Sequence, residues 1–464
     1  MNVLLVYPNK ESYPMIPLGL STLAGVLRDA KHEVEVFDTT FMMEKSYIDH
    51  QEREKLGLVE ETDAKDVWGS DNKNIYKELT ATLAKFKPNL IGFSIVENNY
   101  TLAKDLIDFI KIYYPKIPII VGGIFPTVAP RFFIEDKNVD ILCEGEGERA
   151  IVELANKLEN GNSIKKIKGL AIKNGSKKLT VNLHTDFYDW KPFSYQNWEV
   201  FDERHLLKPY RGKMWRTGCF EMSRGCPHKC SYCVNAYYQE LFKECGRYRR
   251  EKDIMDSLLE ISLLTSWYNL ELIWFHDENF LSMSRDRFKK FIKGYKKIDL
   301  PFFIQTRADS LLDIGKLQAL KDSNCDTISI GVEVGNEWFR KTMLNKPIKN
   351  ETYIQAFKNC KEVGIRTTAN VMMGFPDEND ANLGDTISFL KKCQPDSVGL
   401  ALLAPYYGTE VRNVCIKEGL IEDKFYPEIS FYKSILKDTA PSLEHYYTNF
   451  TKLLGGTCSK DNGE

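Results

Sequence analysis

Two long runs of alternating apolar and amphipathic segments constrain the fold of this 464-residue chain more than any other feature. In the first run, β-type segments such as Val3 to Tyr7 and Leu90 to Ser94 alternate with helical patterns such as Leu18 to Ala30. Such alternation predicts a parallel sheet, because each parallel strand pair needs a crossover connection. Residues 1–160 are therefore predicted to form a doubly wound, Rossmann-like α/β domain with five strands.

The second run extends from Phe220 to about Pro405 and contains six strand and helix repeats, among them strand Leu272 to His276 and helix Arg285 to Tyr295. Six repeats of this kind favour a partial or complete parallel barrel with its chemistry at the carboxyl ends of the strands. The predicted organisation is a Rossmann-like domain over 1–160, a linker over 161–215, a partial barrel over 216–410 and a C-terminal helical extension over 411–464.

Three segments lie outside these two runs. A polar insertion spans about Met42 to Lys73, and a hairpin with Asn174 and Gly175 at its turn opens the predicted linker. The stretch Phe425 to Leu454 carries aromatic residues at roughly helical spacing, which predicts either a packing helix or a lid over the barrel mouth. The last residues, from Ser459, are predicted to be frayed.

The composition argues against several classes of function and location. Lys and Arg (63) nearly balance Asp and Glu (65), so the charge does not favour nucleic acid or an anionic membrane. The N-terminus lacks the pattern of a signal peptide, and no window has the length of apolar residues that a membrane span needs. A cytoplasmic location is expected, and there the eleven cysteines would be thiols or metal ligands rather than disulfides.

The loops that follow the strands of the first domain are distinctive. They read YPNKESYPMIP, SIVENNY, GGIFPTVAP and EGEGE. Ligands of open parallel sheets bind beyond the carboxyl ends of the strands, so these loops are the candidate binding segments. Gly122 and Gly123 would let the backbone approach a large flat ligand closely, or they would simply form a tight turn.

A cysteine loop carries the strongest chemical signal. In MSRGCPHKCSYC, Cys226, Cys230 and Cys233 have CxxxCxxC spacing. Three thiolates this close can hold a small iron-sulfur cluster and leave one iron open to an incoming ligand, because a closed site would need a fourth protein ligand. A zinc site closed by His228 is the alternative.

These residues resemble the cobalamin-binding branch of the radical S-adenosylmethionine (SAM) enzymes. RGCPHKCSYC looks like the cluster loop of that family, with the aromatic Tyr232 before the last cysteine. The family's strand-end segments have counterparts in the same order, namely FHDENF, QTRAD, GVEVGNE, VMMGFPDE and APYYGTE. The resemblance covers the chain from Met1 to about Gly419.

The resemblance implies a 4Fe-4S cluster on Cys226, Cys230 and Cys233 whose open iron binds SAM. Reductive cleavage of SAM would then give a 5'-deoxyadenosyl radical that abstracts hydrogen from an unactivated carbon. Each polar residue of the implied SAM site has a structural alternative as a rim salt bridge. The implied SAM-binding residues are Tyr232, Asp277, Arg307, Glu333, Gly374 and Phe375.

The first domain resembles the cobalamin-binding domain of the same branch. The DxHxxG motif that supplies a histidine to cobalamin is absent, since Asp29 to His32 has the wrong spacing. The resemblance implies that backbone and packing hold the corrin instead. The implied cobalamin-binding residues are Tyr7, Pro8, Ser94, Glu97, Gly122, Gly123, Phe125, Pro126, Thr127, Glu144, Gly145 and Glu146.

Three functions are consistent with these patterns. The first is methylation of an unactivated carbon, or phosphorus, of a small-molecule or natural-product substrate, with electrons from a flavodoxin or ferredoxin. The second is a cobalamin-dependent radical cyclisation or rearrangement, and the third is a zinc- or corrin-binding module without enzymatic activity. The substrate and the oligomeric state stay open, and no general base is named, although Tyr406, Tyr407, Glu410 and His276 lie near the predicted barrel mouth.

Overall fold

The computed structural model describes residues 1–9, 14–42, 48–173, 179–182, 184, 186–427 and 434–456. The chain divides into two compact units. The first comprises Met1–Ile48, Lys65–His205 and Glu240–Arg247, and the second comprises Asp49–Ala64, Leu206–Gln239 and Tyr248–Glu464. Within the described ranges, no helix is both long enough and apolar enough to cross a membrane.

The first unit contains a seven-stranded sheet in the order β2-β1-β3-β4-β5-β6-β7. Its strands are β1 (Asn2–Tyr7), β2 (Glu33–Asp38), β3 (Leu90–Ser94), β4 (Ile119–Gly122), β5 (Ile141–Cys143), β6 (Leu170–Lys173) and β7 (Leu179–Val181). The helices up to β6 are α1 (Leu18–Asp29), α2 (Ile48–Lys55), α3 (Ala64–Val67), α4 (Ile75–Phe86), α5 (Tyr100–Tyr113), α6 (Ile124–Val128), α7 (Arg131–Ile134) and α8 (Glu148–Glu159).

Strands β1 to β5 are parallel, which confirms the predicted doubly wound domain. Strand β1 lies between β2 and β3, and the run Val3 to Val6 is almost completely buried. A strand covered on both faces has a continuous apolar sequence of this kind. Strands β6 and β7 add an antiparallel hairpin to the sheet, and the predicted turn at Asn174 and Gly175 lies outside the described residues.

Much of the segment predicted as a linker packs within the first unit. The hairpin β6–β7 extends the sheet, and the fully buried His205 places Nε2 2.5 Å from Oδ2 of Asp38 at the end of β2. The polar insertion also contains structure, because α2 and α3 form there and Trp68 is fully buried. Few apolar residues mark these helices in the sequence, so their periodicity is weak.

The second unit contains a curled sheet in the order β16-β15-β14-β13-β12-β9-β8. Its strands are β8 (Leu207–Tyr210), β9 (Lys213–Phe220), β12 (Leu272–Phe275), β13 (Phe302–Thr306), β14 (Cys325–Glu333), β15 (Arg366–Met373) and β16 (Ser397–Leu402), with β10 (Ser223–Arg224) and β11 (Arg250–Glu251) forming a separate antiparallel pair. Six strands are parallel and β8 pairs antiparallel at the edge, which confirms a partial (βα)6 barrel.

The helices of the second unit follow its strands. They are α9 (Asn235–Leu241), α10 (Ile254–Tyr268), α11 (Arg285–Tyr295), α12 (Ile314–Lys321), α13 (Glu337–Thr342), α14 (Asn350–Glu362), α15 (Asp380–Cys393), α16 (Glu410–Lys417), α17 (Leu443–Thr448) and α18 (Phe450–Leu454). The C-terminal aromatic stretch forms α17 and α18 rather than one helix. Residues 428–433 and the predicted frayed end from Ser459 lie outside the described residues.

The first barrel strand begins earlier than the sequence indicates. The pattern predicts a strand over Phe220 to Ser223, whereas β9 spans Lys213–Phe220 and pairs with β8. The charged and aromatic residues of KMWRTGCF hide the alternation of this strand, because they resemble a polar connector. The shift matters for the site, since β9 ends just before the cysteine loop.

Candidate active site

The cysteine loop follows β9 at the carboxyl end of the barrel strands. Cys226 and Cys233 are half-buried and Cys230 is 9% exposed. All three are free thiols. Strand β9 and the β10–β11 pair therefore deliver three accessible sulfur ligands to the edge of the sheet where barrel enzymes carry out their chemistry.

Side chains and backbone from distant segments fasten this loop. Nε2 of Gln239 donates to the carbonyls of both Cys226 and His228 at 2.9 Å. Nδ2 of Asn345 donates to the Lys229 carbonyl at 2.7 Å, and the Ser231 amide donates to the Leu344 carbonyl at 3.1 Å. The loop backbone is thus held on two sides, which fixes the positions of the thiols.

The two ends of the loop meet at Tyr248. At the start, Gly225 has φ +87°, and a Cβ atom there would lie 2.6 Å from the Tyr248 carbonyl oxygen. At the end, Nδ2 of Asn235 lies 3.4 Å from Sγ of Cys233, while the Tyr248 hydroxyl donates to Oδ1 of Asn235 at 2.7 Å. This arrangement requires glycine at 225 and orients an amide donor toward a cluster ligand.

Among the residues that the structure describes, no three His, Cys, Asp or Glu side chains come together closely enough to hold one metal ion. Thiolates of an iron-sulfur cluster bind different irons, so they need not converge on one point. Both the cluster and the zinc alternative stay predictions for the three cysteines.

Two cations lie near Cys230. Burial raises the pKa of the Cys230 thiol, whereas the charges of Lys346 and Arg307 oppose that rise. A metal ligand must be the thiolate, so both cations favour the state that binds iron. Arg307 also pairs with Asp309, at 3.0 Å between Nη2 and Oδ2.

Glu333 and Lys346 form a buried ion pair beside the loop. Nζ of Lys346 donates to Oε1 of Glu333 at 2.8 Å and to the Gly331 carbonyl at 2.6 Å. Burial alone would lower the pKa of Lys346, but the charge of Glu333, its hydrogen bond and the nearby Tyr353 and Cys230 together outweigh burial and raise that pKa. Glu333 has φ +66°, after a register shift between β14 and β15, and also interacts with the Tyr232 side chain. Strained backbone at such a position is typical of functional sites.

Gly374 and Phe375 lie at the end of β15 on the same side as Tyr232. The rings of Tyr232 and Phe375 have centroids 6.3 Å apart in an edge-to-face arrangement. Oε2 of Glu378 accepts from the Gly374 amide at 2.6 Å and from the Phe375 amide at 3.2 Å. Burial raises the pKa of Glu378 to about 7, although both amides lower it. Glu378 thus positions the turn predicted to lie near adenine.

Asp277 occupies a different place from the other predicted SAM ligands. Its Oδ2 accepts from the Met222 amide at 3.0 Å, and its Oδ1 accepts from the Ser223 hydroxyl. Burial raises its pKa to about 6. The structure brings Tyr232, Glu333 and Phe375 together, whereas the Asp277 carboxylate is engaged in holding the strand that leads to the cysteine loop.

In the first unit, the backbone of the predicted glycine loop packs tightly against the segment that follows β3. Gly123 has φ +103°, and a Cβ atom there would lie 2.8 Å from the Ile95 carbonyl oxygen. Oγ1 of Thr127 donates to the Gly123 carbonyl and accepts from the Gly145 amide. Gly123 therefore serves a tight turn, the simpler of the two sequence interpretations.

Several predicted cobalamin residues are buried in the first unit. Phe125 is fully buried and packs against the rings of Tyr100, Phe132 and Phe133. Pro126 and Thr127 are buried as well. The side chains of Phe125 and Pro126 thus belong to the core of the domain, while the Thr127 hydroxyl bonds to the Gly145 amide in the loop after β5.

The remaining predicted residues line this edge. Tyr7, Ser94, Glu144, Gly145 and Glu146 are half-buried, Pro8 and Glu97 are buried, and Gly122 is the last residue of β4. Oε2 of Glu146 accepts from the Tyr188 amide at 2.9 Å. Burial raises the pKa of Glu144, which the nearby His184 opposes.

Two exposed aliphatic side chains were missed by the sequence reasoning. Val96 is 39% exposed and lies two residues after β3, and Ile124, the first residue of α6, is 46% exposed and lies two residues after β4. Exposed apolar residues at the ligand-binding edge of a parallel sheet provide contact area for an apolar ligand face. An apolar residue just beyond a strand end was the signal available in the sequence.

Two protein-family models match the chain. A Radical SAM superfamily model matches residues 220–390, and a B12 binding domain model matches residues 9–155. The first match contains the cysteine loop and the second contains the loops at the carboxyl edge of the first sheet.

Similar proteins support the same domain combination. An uncharacterized methyltransferase of Pyrococcus horikoshii is 24% identical over 469 residues, which cover 98% of this chain and 91% of the relative. Cytidylyl-2-hydroxyethylphosphonate methyltransferase of Streptomyces wedmorensis is 21% identical over 459 residues, covering 91% and 81%. The structure of the radical SAM methyltransferase TsrM of Kitasatospora setae with cobalamin and a 4Fe-4S cluster matches with a TM-score of 0.67 at 17% identity, covering 89% and 78%.

The fold and the site define an enzyme class in which a B12 binding domain and a radical SAM domain share one chain. This chain contains both domains, so the combination predicted from the sequence, that of the cobalamin-binding branch of the radical SAM enzymes, is confirmed. The three predicted cofactors, a 4Fe-4S cluster, SAM and cobalamin, are those of this enzyme class.

Proposed function

We propose that this enzyme is a cobalamin-dependent radical SAM methyltransferase that methylates carbon, or phosphorus, of a small-molecule substrate. The observation that carries the proposal is the loop with the thiols of Cys226, Cys230 and Cys233 at the carboxyl edge of a partial barrel. Hydrogen bonds from other segments hold the backbone of this loop in place. The combination of this loop with a B12 binding domain supports methyl transfer, since the relatives described above are methyltransferases.

Each group of residues would have a separate task. The three thiolates would hold the cluster, and Glu333 and Tyr232 would bind the polar groups of SAM, with Phe375 as an apolar wall. When bound, the cluster and cobalamin would supply an electron to SAM and a methyl group to the substrate. Lys346 donates to the Glu333 carboxylate and so fixes its position, and that carboxylate would bind the ammonium group of SAM.

The first unit would bind cobalamin at the carboxyl edge of its sheet. The exposed side chains of Val96 and Ile124 would contact the apolar face of the corrin. The backbone of Gly122 and the loop from Glu144 to Glu146 would border the ligand. Cobalamin held in this way needs no histidine ligand from these loops, which agrees with the absence of the DxHxxG motif.

The test is anaerobic reconstitution with iron, sulfide and hydroxocobalamin, followed by electron paramagnetic resonance of the reduced protein with and without SAM. We expect four irons per chain and a spectrum that changes when SAM binds. Cys226→Ala, Cys230→Ala and Cys233→Ala should each lose the cluster. Cys245→Ser, a half-buried cysteine outside the loop, should keep it.

Product analysis then separates the outcomes, with electrons supplied by dithionite or by a flavodoxin or ferredoxin system. A methyltransferase of this kind forms both 5'-deoxyadenosine and S-adenosylhomocysteine together with methylated product. Deoxyadenosine with a cyclised or rearranged product would instead support the second function predicted from the sequence. A protein that binds zinc and forms no deoxyadenosine would refute both.

A further inference from the structure

Asn235 donates a hydrogen bond to one of the predicted cluster ligands. Its Nδ2 lies 3.4 Å from Sγ of Cys233, and only 8% of its surface is exposed. Sulfur is a larger acceptor than oxygen, so this bond is longer than the roughly 2.9 Å of an N–H···O bond. The predicted ligand Cys233 therefore has an amide proton directed at its sulfur.

The Tyr248 hydroxyl determines which end of this amide faces the sulfur. An asparagine side chain has a donor end and an acceptor end of nearly the same shape. The hydroxyl donates to Oδ1 of Asn235 at 2.7 Å, which leaves Nδ2 to face Cys233. The opposite orientation would place the amide oxygen against the thiolate, and both of these atoms are acceptors.

Tyr248 holds this hydroxyl in place from outside the cysteine loop. The residue lies two positions before β11, which pairs with the strand leading into the loop. Its carbonyl accepts from Nε of Arg250 at 3.2 Å, and its ring packs edge-on against that of Tyr238 with 6.5 Å between centroids. Burial, followed by the charge of Glu278, raises the pKa of Tyr248, so the hydroxyl keeps its proton and remains a donor.

A donor at this sulfur affects the two redox states of a cluster unequally. Reduction adds one electron to the cluster, so its sulfurs become more negative and accept hydrogen bonds more strongly. The amide therefore stabilises the reduced cluster more than the oxidised one and makes reduction easier. Burial of Asn235 strengthens this effect, because the protein screens the interaction less than water would.

We propose that Asn235, oriented by Tyr248, raises the reduction potential of the cluster through its hydrogen bond to Cys233. The proposal rests on the proposed function and adds a control on the electron that the cluster passes to SAM. A one-electron donor such as dithionite reduces the cluster, and Asn235 neither gains nor loses a proton in that step. Asn235 thus sets how readily the cluster accepts the electron, and Tyr248 is a positioning residue that acts through Asn235.

The test is a redox titration of the full-length enzyme after reconstitution with iron, sulfide and hydroxocobalamin. Electron paramagnetic resonance follows the fraction of reduced cluster at controlled potentials in the absence of SAM. Asn235→Leu keeps the size of the side chain and removes the donor. At the wild-type midpoint potential we expect its ratio of reduced to oxidised cluster to fall about tenfold, which corresponds to about 59 mV for a one-electron couple.

Two further variants give a graded series. Tyr248→Phe removes the hydroxyl that orients the amide but keeps the donor, so the potential should fall by less than in Asn235→Leu. Asn235→Asp places a carboxylate beside the thiolate, and repulsion between like charges should lower the potential further than loss of the donor does. The expected order, from the highest to the lowest potential, is wild type, Tyr248→Phe, Asn235→Leu and Asn235→Asp.

Gln239→Leu is the matched control, because the Gln239 amide donates to the carbonyls of Cys226 and His228 rather than to a sulfur. It removes an amide from the surroundings of the same loop, and it should leave the potential at the wild-type value. An equal shift in this control would assign the effect to a loosened loop and overturn the proposal.

Unchanged potentials in Asn235→Leu and Tyr248→Phe would also overturn the proposal. Should Asn235→Leu fail to assemble a cluster, Tyr248→Phe decides alone. A lowered potential in that variant supports the hydrogen bond as the cause, and an unchanged potential refutes it.

Failure of this inference is distinguishable from failure of the proposed function. The potential is measured without turnover, whereas the proposed function depends on 5'-deoxyadenosine and methylated product. Both products with unchanged potentials refute the role of Asn235 alone. The expected order of potentials without these products refutes the methyltransferase alone, and a wild-type chain that assembles no cluster refutes both.

Discussion

Lys346 and Glu333 form an ion pair 2.8 Å long in which both side chains are at least nine-tenths buried. The pair stands next to Cys230 and Tyr232, because the charges of both residues act on Cys230 and Glu333 interacts with Tyr232. It links the cluster loop to the residue predicted to bind SAM. The first prediction follows from it.

Lys346→Met should destabilise the second unit by about 3–5 kcal/mol, because it leaves the Glu333 carboxylate buried without its cation. It should also weaken SAM binding, since Glu333 loses the contact that fixes its position. Urea unfolding and equilibrium binding of SAM measure the two effects. Lys341→Met, on the exposed side of α13, should change neither. Identical behaviour of the two variants would contradict the role of the pair.

Gln239→Ala should release the cluster faster without preventing its assembly. The variant removes two hydrogen bonds to the loop carbonyls of Cys226 and His228. At about 1 kcal/mol for each of the two bonds, iron transfer to a chelator should be about thirtyfold faster. The control is Gln318→Ala, because Gln318 is exposed and bonds only within α12 and to Asp322 just after it. Equal rates for both variants would mean that the loop does not depend on Gln239.

Gly123→Ala should destabilise the first unit and reduce cobalamin retention. The backbone at Gly123 has φ 103° and ψ −171°, a region that residues with a Cβ atom rarely occupy, and the added atom would lie 2.8 Å from the Ile95 carbonyl oxygen. Strain and overpacking together should cost about 2–5 kcal/mol. Gly161→Ala, with φ +66° and open space, isolates the conformational strain and should cost about 1 kcal/mol. Urea unfolding and bound cobalamin provide the comparison.

Asp277→Asn should change how stability depends on pH. Burial raises the pKa of Asp277 from 3.8 to about 6, so the folded state holds its proton at a higher pH than the unfolded state does. Stability from this group therefore falls as pH rises from about 4 to about 6, by about 3 kcal/mol in total. Asparagine removes this dependence, and it can still accept a hydrogen bond from Met222 or Ser223.

The measurement is the unfolding free energy of the wild type and of Asp277→Asn at several pH values between 4 and 8. The unfolding free energy of Asp277→Asn minus that of the wild type should increase as pH rises through this window. Above the window this difference should stay constant. Parallel curves across the whole range would show that Asp277 does not titrate between the two states in this way.

The sequence predicted the two α/β units and the parallel strands of the first sheet, because periodicity determines these features. Local spacing also indicated the three cysteines of the loop, whose role as cluster ligands stays a prediction. It did not reveal the role of Lys346, which lies 13 residues after Glu333 and reaches it because the segment with α13 returns to the end of β14. The sequence did not indicate the roles of Gln239 and Glu378, because both side chains bond to backbone groups and residue types do not show where such groups lie. The start of β9 was placed too late because its exposed end carries Lys and Arg.

Side-chain direction was the other feature that sequence could not supply. Phe125 and Ile124 are neighbours in one predicted ligand loop, but Phe125 is fully buried and Ile124 is 46% exposed. Only the packed helix α6 determines which of the two faces the edge of the sheet. The same holds for Asp277, whose chemistry suited a ligand but whose oxygens bond to Met222 and Ser223.

The fastening of the cysteine loop has a consequence for biosynthesis. The Ser231 hydroxyl bonds to the Met343 carbonyl, 112 residues later in the chain, and the Ser231 carbonyl accepts from the Val411 amide. A nascent chain therefore leaves the ribosome with its three thiols exposed long before their supports have been translated. We expect the maturation machinery to deliver iron and sulfide after translation of the barrel is complete, and a chain truncated before Val411 to fail to mature.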